Sequence, residues 1–86
     1  MRQYLQLVLV ELGKDEAPRR IIWDGRPYRV LSVEDSWRFK GKWWLDGRGH
    51  TRAYFRLTVQ PIGKPRSLCV EVFKQGSTWV LTHVLD

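Results

Sequence analysis

Short runs of alternating apolar and polar residues, separated by turn residues, are the feature that most limits what this chain can fold into. Alternation with a period of two is the pattern of half-buried β-strands, and no stretch has the 3.6-residue spacing of an apolar helix face. Asp24-Gly25 lies between two such runs, and Asp-Gly is a strong hairpin signal because both turn positions favour positive φ. A second hairpin is predicted at Gln75-Gly76-Ser77.

The pattern predicts six strands, over residues 4–12, 19–23, 26–33, 52–60, 68–74 and 78–85. Residues 34–51 are predicted to form a long loop, with at most a short helical turn near residues 35–41, because three glycines interrupt them. Six short strands in 86 residues indicate an all-β fold, a small antiparallel barrel or rolled sheet of the SH3-like or OB-like kind. We therefore expect residues 1–86 to form a single β domain, in which residues 1–17 are an N-terminal strand and connection.

The first predicted strand is apolar on both of its faces. The residues of one face are Leu5, Leu7 and Leu9, and those of the other are Val8, Val10 and Leu12. A strand of this kind is usually covered on both faces, or it curls so that its faces exchange roles. We expect one of these arrangements at the start of the fold.

The positive charge of the chain is local. Residues 19–56 contain ten Lys and Arg against four Asp and Glu, so this segment alone accounts for the net charge of +6. It also contains eight of the eleven aromatic residues. Cations beside aromatic rings are typical of nucleic-acid surfaces, because the cations meet phosphates and the rings stack on bases. The composition therefore favours a binding module for single-stranded or double-stranded DNA.

Arg20 and Arg29 are the first candidate contacts. Around the first predicted hairpin they fall on the same face, and like charges opposite each other destabilise a sheet unless water, an acid or an anionic ligand lies between them. Asp24, Glu34 or Asp35 is expected to supply such an acid. The alternative to a ligand site is a solvated, partly paired surface.

Arg52, Tyr54 and Arg56 are the second set of candidates. They alternate along the fourth predicted strand, so they present a cation, a ring and a cation on one face. This arrangement suits a nucleic acid. The alternative is a solvent-facing strand whose tyrosine covers a neighbouring ring.

The third set lies in the predicted loop, where cations surround two adjacent tryptophans. These candidates are Arg38, Lys40, Lys42, Trp43, Trp44 and Arg48. Adjacent tryptophans on an extended segment point to opposite sides, so one exposed ring is expected to serve as a stacking platform. The alternative is that one ring caps the mouth of the barrel and the other anchors the loop.

Patterns that indicate catalysis or metal binding are weak. His50 and His83 are far apart in the sequence, and Cys69 falls in the middle of a predicted strand. We expect no enzymatic activity, no metal and no cofactor. A single cysteine excludes an internal disulfide and fits a cytoplasmic protein, and no stretch approaches the ~18 apolar residues that span a membrane. The absence of Asn and the ratio of ten Arg to five Lys are typical of proteins from hot environments, or of a GC-rich genome.

The order of the aromatic residues resembles that of a known family. The matching segments are Trp23-Asp24-Gly25-Arg26-Pro27-Tyr28-Arg29-Val30, Trp43-Trp44, Arg52-Ala53-Tyr54-Phe55-Arg56, Trp79-Val80-Leu81 and the final Asp86. Over residues 18–86 the chain resembles a bacterial domain of unknown function that occurs as small stand-alone proteins. It also resembles the C-terminal region of ImuB-like, Y-family polymerase-related proteins, although Phe55 stands where a second tyrosine is common.

The resemblance implies a link to DNA damage tolerance and translesion synthesis, and a polymerase-related protein partner, without polymerase activity. Two hypotheses follow. The chain is a nucleic-acid-binding module, or it is a protein-interaction module of a translesion-synthesis assembly. The oligomeric state is left open by the sequence.

Overall fold

Six antiparallel β-strands form the fold, as the alternating pattern predicts. The structure, a computed structural model, describes residues 2–41 and 50–85. The strands are β1 (Arg2–Leu12), β2 (Pro18–Trp23), β3 (Arg26–Gly41), β4 (His50–Pro61), β5 (Leu68–Gln75) and β6 (Thr78–Leu85). Each strand pairs with the next in sequence and β1 pairs with β6, so the sheet closes into an up-and-down barrel. This confirms the predicted small antiparallel barrel and supplies the strand order that the sequence left open.

Alternate residues of β4, β5 and β6 fill the barrel. The side chains that are at most 1% exposed on these strands are Leu57, Val59, Val70, Val72 and Leu81. Burial of such a side chain stabilises the fold by roughly 1.5–3 kcal/mol relative to its exposure. Trp79, on β6, closes the core with 8% of its surface exposed and its ring centroid 5.6 Å from that of Phe55.

The two predicted hairpins are present. Asp24 and Gly25 both have positive φ, 55° and 74°, in the two-residue turn between β2 and β3. Gly76 has a φ of 62° in the turn between β5 and β6. The first turn fixes the register of its hairpin, in which Arg20 lies directly opposite Arg29.

β3 is much longer than predicted, and this corrects the expectation of a loop over residues 34–51 with a helical turn near residues 35–41. The strand continues to Gly41, and β4 begins at His50. Two irregularities in the pairing of β3 with β4, at Leu31 and Glu34, insert extra residues into β3. Such β-bulges interrupt the period of two, which is why the sequence pattern fails there.

β1 shows neither of the arrangements expected for a strand that is apolar on both faces. Val8 points into the core and is 7% exposed. On the outer face, Leu5, Leu7 and Leu9 are 80%, 74% and 69% exposed. Within the part of the chain that the structure describes, this row of leucines remains open to solvent.

Candidate nucleic-acid interface

The outer face of β4 carries the cation–ring–cation series that the sequence predicts. Because Leu57 and Val59 point into the core, the residues at alternate positions point outward. The structure thus brings Arg52, Tyr54 and Arg56 together on one face of the sheet. Tyr54 is half-buried there, whereas Arg56 is exposed.

Tyr54 belongs to a row of rings that crosses three strands, which we call the aromatic row: Trp37, Tyr54 and Phe73. Tyr54 lies opposite Trp37 on β3 and opposite Phe73 on β5. The Trp37 and Tyr54 rings are parallel within 2°, with centroids 5.4 Å apart, and the Tyr54 and Phe73 centroids are also 5.4 Å apart. Phe73 is only 6% exposed despite its outward position. Trp37 and Phe73 were not among the predicted contacts, because only the register between strands aligns them with Tyr54.

The two arginines of β4 lie against these rings. The guanidinium carbon of Arg52 is 4.2 Å from the Phe73 ring centroid, and its Nε donates a 2.9 Å hydrogen bond to Oε1 of Gln75. The guanidinium carbon of Arg56 is 5.7 Å from the Trp37 ring centroid. Cation–π contacts of this kind stabilise a site by roughly 0.5–1 kcal/mol when exposed. Part of this surface therefore serves the fold, because Tyr54 and Arg52 cover Phe73.

Arg38 and Lys40 lie on the opposite face of the same two strands. They are opposite Ala53 and Thr51, which alternate with the outward residues, and both are exposed. We call residues 36–41 and 50–56 the basic ribbon; they contain four Lys and Arg and no Asp or Glu. The ribbon therefore carries cations on both of its faces. The other predicted contacts of this region, Lys42, Trp43, Trp44 and Arg48, lie outside the described residues.

Arg20 and Arg29 are near the other end of β3, apart from the basic ribbon. With Arg19 and Glu11 they line an open cleft of about 490 Å³. Glu11 lies opposite Arg20 in the register of β1 and β2, and its Oε1 is 3.9 Å from Nη1 of Arg20. The acid beside this pair is thus Glu11 rather than the expected Asp24, Glu34 or Asp35. An ion pair this exposed contributes roughly 0–1 kcal/mol.

Two carboxylates separate the cleft from the ribbon. Oε1 of Glu34 accepts hydrogen bonds from the hydroxyls of Ser32 and Thr58, the second of them 2.9 Å long. The bond from Ser32 and then that from Thr58 lower the pKa of Glu34, so its charge persists below the usual range. Asp35 follows and lies opposite Arg56. The basic segment of the sequence is therefore two basic regions in the structure, divided by acids.

The Glu34 hydrogen bonds predict a pH dependence. In the wild type, Glu34 is expected to titrate below its ordinary pKa of 4.5, and Thr58→Val is expected to move the midpoint upward by removing a donor. Since the folded-state pKa is the lower one, the stability from ionised Glu34 is present above the unfolded-state pKa and is lost as the pH falls through the folded-state pKa. Side-chain carboxyl chemical shifts against pH measure this. Thr51→Val is the control, and an unchanged midpoint in Thr58→Val would contradict the assignment.

Glu71 and His83, on neighbouring strands, contact each other. Oε2 of Glu71 accepts a 2.6 Å hydrogen bond from the Thr82 hydroxyl and lies 2.9 Å from Nδ1 of His83, which joins β5 to β6. Burial raises the pKa of the Cys69 thiol. Among residues 2–41 and 50–85, no three His, Cys, Asp or Glu side chains are grouped so that they could hold a metal ion. None of these residues forms a helix long and apolar enough to cross a membrane.

Comparison with known proteins identifies a family. None of the curated proteins and none of the solved structures is significantly similar to the chain. The sequence profile of a family described as a domain of unknown function, DUF6504, matches residues 4–86. This match includes β1, the cleft and the basic ribbon, so it covers nearly the whole chain. The chain therefore belongs to the DUF6504 family of domains of unknown function.

Proposed function

We propose that this domain is a non-enzymatic module that binds nucleic acid through the basic ribbon and the aromatic row, with single-stranded DNA as the preferred form. One observation carries the proposal. Residues 36–56 contain six Lys and Arg and one Asp, so +5 of the net charge of +6 belongs to the segment of the sequence that also contains Trp37 and Tyr54. Cations and rings on one element are the combination that binds a single strand.

The Lys and Arg side chains of the basic ribbon differ in how many contacts they make with other residues of the fold. Arg52 lies against a ring and bonds to Gln75, so it is held in a fixed position. Arg38 and Lys40 are exposed, and no described carboxylate lies within ion-pair distance of either. These two side chains can therefore neutralise phosphates and release counterions, which is the main source of nucleic-acid affinity.

The rings supply the second contribution. Trp37 is half-buried on the outer face, and Phe39, two residues further along β3, is 54% exposed. A base stacked on such a ring contributes roughly 1–3 kcal/mol, and every base offers a suitable face. Stacking needs unpaired bases, which is why we favour a single strand over a duplex.

Two acidic residues mark the end of the proposed site that is nearest to the barrel. Glu34 and Asp35 repel phosphates at the point where the ribbon meets the barrel, and the hydrogen bonds to Glu34 keep it ionised. We therefore assign the ribbon as the main contact. The cleft of Arg20 and Arg29 is a separate, weaker phosphate contact on the far side of the acids.

Titration of the intrinsic tryptophan fluorescence with a single-stranded oligonucleotide tests this proposal. We expect quenching at low salt, and a logarithmic salt dependence of the affinity with a slope of about −3 if four cations meet phosphates. Heparin is the control, because it carries anions without bases and is expected to bind with less quenching. No binding of the oligonucleotide at low salt would contradict the proposal.

The family resemblance noted in the sequence supports a biological setting for this activity. The similarity to the C-terminal region of ImuB-like proteins favours a role in DNA damage tolerance, in the cytoplasm where the bacterial chromosome lies. The polymerase carboxylates belong to other domains of those proteins. We therefore propose a binding role and no catalysis.

A second candidate function is a protein-interaction module of a translesion-synthesis assembly. It is favoured by the free length of one edge of β3. β2 pairs with this edge only between Arg26 and Arg29, so the rest of the edge has no partner among the described strands. Beyond that point Leu31 and Val33 are 49% and 41% exposed. An extended peptide of a polymerase-related partner can add to such an edge by main-chain hydrogen bonds. Binding of this kind would depend weakly on salt.

A further inference from the structure

The outer face of β1 is an apolar surface that takes no part in the core formed by residues 2–41 and 50–85. Leu5, Leu7 and Leu9 are 69–80% exposed, while the core contact of the strand is made by residues of the other face. Leu7 lies opposite Val80 on β6, and Leu9 lies opposite Ile22 on β2. We call these five residues the leucine face.

Polar residues at these outward positions would serve the strand equally well, because strand preferences on a solvated face are weak. Single exposed leucines are common in soluble proteins, but large contiguous apolar patches mark interaction sites. The leucine face places three highly exposed leucines side by side along one strand. Its composition therefore indicates a partner.

We propose that the leucine face is a homodimer interface, on which a second copy of this chain packs its own leucine face across a two-fold axis. The first argument is charge. Residues 3–10 contain no Lys, Arg, Asp or Glu, and the charged groups next along the same face, Glu11 and Arg20, pair with each other, so the surface has no net charge that would select an oppositely charged partner. A surface of this kind is complementary to itself, as an isologous interface requires.

The second argument is the position of the net charge. Two chains of +6 repel each other, but +5 of that charge belongs to residues 36–56. The leucine face borders β2, which pairs with β3 only between Arg26 and Arg29, and the ribbon begins seven residues farther along β3, at a distance of about 20 Å for an extended strand. This exceeds the Debye length of about 8 Å at physiological ionic strength. The repulsion between the two ribbons is therefore screened.

The third argument is size, and it sets the strength of the dimer. A stable interface contains about 20–30 residues on each partner, whereas the leucine face has five. The dimer is accordingly weak and reversible. It leaves the ribbons of both copies outside the interface, so a dimer presents two nucleic-acid surfaces.

Sedimentation velocity across a range of protein concentrations, without nucleic acid, tests the proposal. The wild type is expected to pass from monomer to dimer as its concentration rises. The double variant Leu5→Gln/Leu7→Gln is expected to dimerise at least about tenfold more weakly. Ile62→Gln is the matched control, since it removes an exposed apolar side chain from the connection that follows β4, and it is expected to dimerise like the wild type.

Three results would overturn the proposal: a wild type that stays monomeric at the highest concentration, a double variant that dimerises normally, or a control that loses the dimer. The first result would indicate that the leucine face binds a different protein or a lipid surface. Concentration-dependent amide shifts provide the second measurement and are expected at residues 3–9 and at Val80. Because DNA is absent, failure here is distinguishable from failure of the proposed function.

Discussion

Replacement of Trp79 by alanine is expected to lower the free energy of unfolding by about 3–5 kcal/mol. The ring is 8% exposed, lies against Phe55 and sits opposite Val8, where β6 meets β1 to close the barrel. Its loss leaves a cavity beside the strand pairing on which closure depends. Small domains have 5–15 kcal/mol of stability in total, so this single change removes a large part of it.

Urea unfolding followed by circular dichroism measures the Trp79 effect. The matched control is Trp37→Ala, which removes an equal ring from the outer face. Because Trp37 contacts mainly Tyr54 and Arg56, its loss is expected to cost only about 0.5–1.5 kcal/mol. Equal losses in the two variants would contradict the assignment of Trp79 to the core and Trp37 to the surface.

Charge reversal on the basic ribbon is expected to give the largest loss of nucleic-acid binding. In Arg38→Glu/Lys40→Glu, two exposed cations become anions on a face where no core contact is disturbed. We expect the affinity for single-stranded DNA at low salt to fall at least about tenfold, and the salt slope to decrease in magnitude by about 1.4, which is 0.7 for each lost phosphate contact.

The control for charge reversal is Lys64→Glu/Arg66→Glu, which changes the net charge by the same amount on the exposed connection between β4 and β5. If the whole-molecule charge governed binding, both double variants would lose affinity equally. If the ribbon is the site, the control retains nearly all of its affinity and salt slope. Fluorescence anisotropy of a labelled oligonucleotide, repeated at several salt concentrations, separates these outcomes.

Local patterns in the sequence were sufficient for much of the fold. Asp24-Gly25 fixes a two-residue turn, and the parity of that turn places Arg20 opposite Arg29, as predicted. The period of two likewise identifies every strand. It fails between Val30 and Asp35, because each of the two bulges adds a residue to β3. The alternation of apolar and polar residues in the sequence then no longer follows the alternation of inward and outward side chains.

The candidate site was only partly predictable, because its main parts depend on register between strands. Arg52, Tyr54 and Arg56 share a face by simple alternation within one strand. Trp37 and Phe73 join Tyr54 only through pairings with β3 and β5, which no local pattern encodes. The same holds for Glu11, which reaches Arg20 through the pairing of β1 with β2.

The pairing of β1 with β6 also determines the connectivity of the fold. Arg2 lies opposite Val84, so the two ends of the described chain are side by side. All other strand pairs are joined by short connections, and this pair alone unites residues about eighty positions apart. Because β1 and β6 are far apart in the sequence, their pairing has the largest loop-closure entropy of the six. A circular permutant opened at Gln75-Gly76-Ser77 would keep every strand neighbour, make the pairing of β1 with β6 local and make that of β5 with β6 the long-range one.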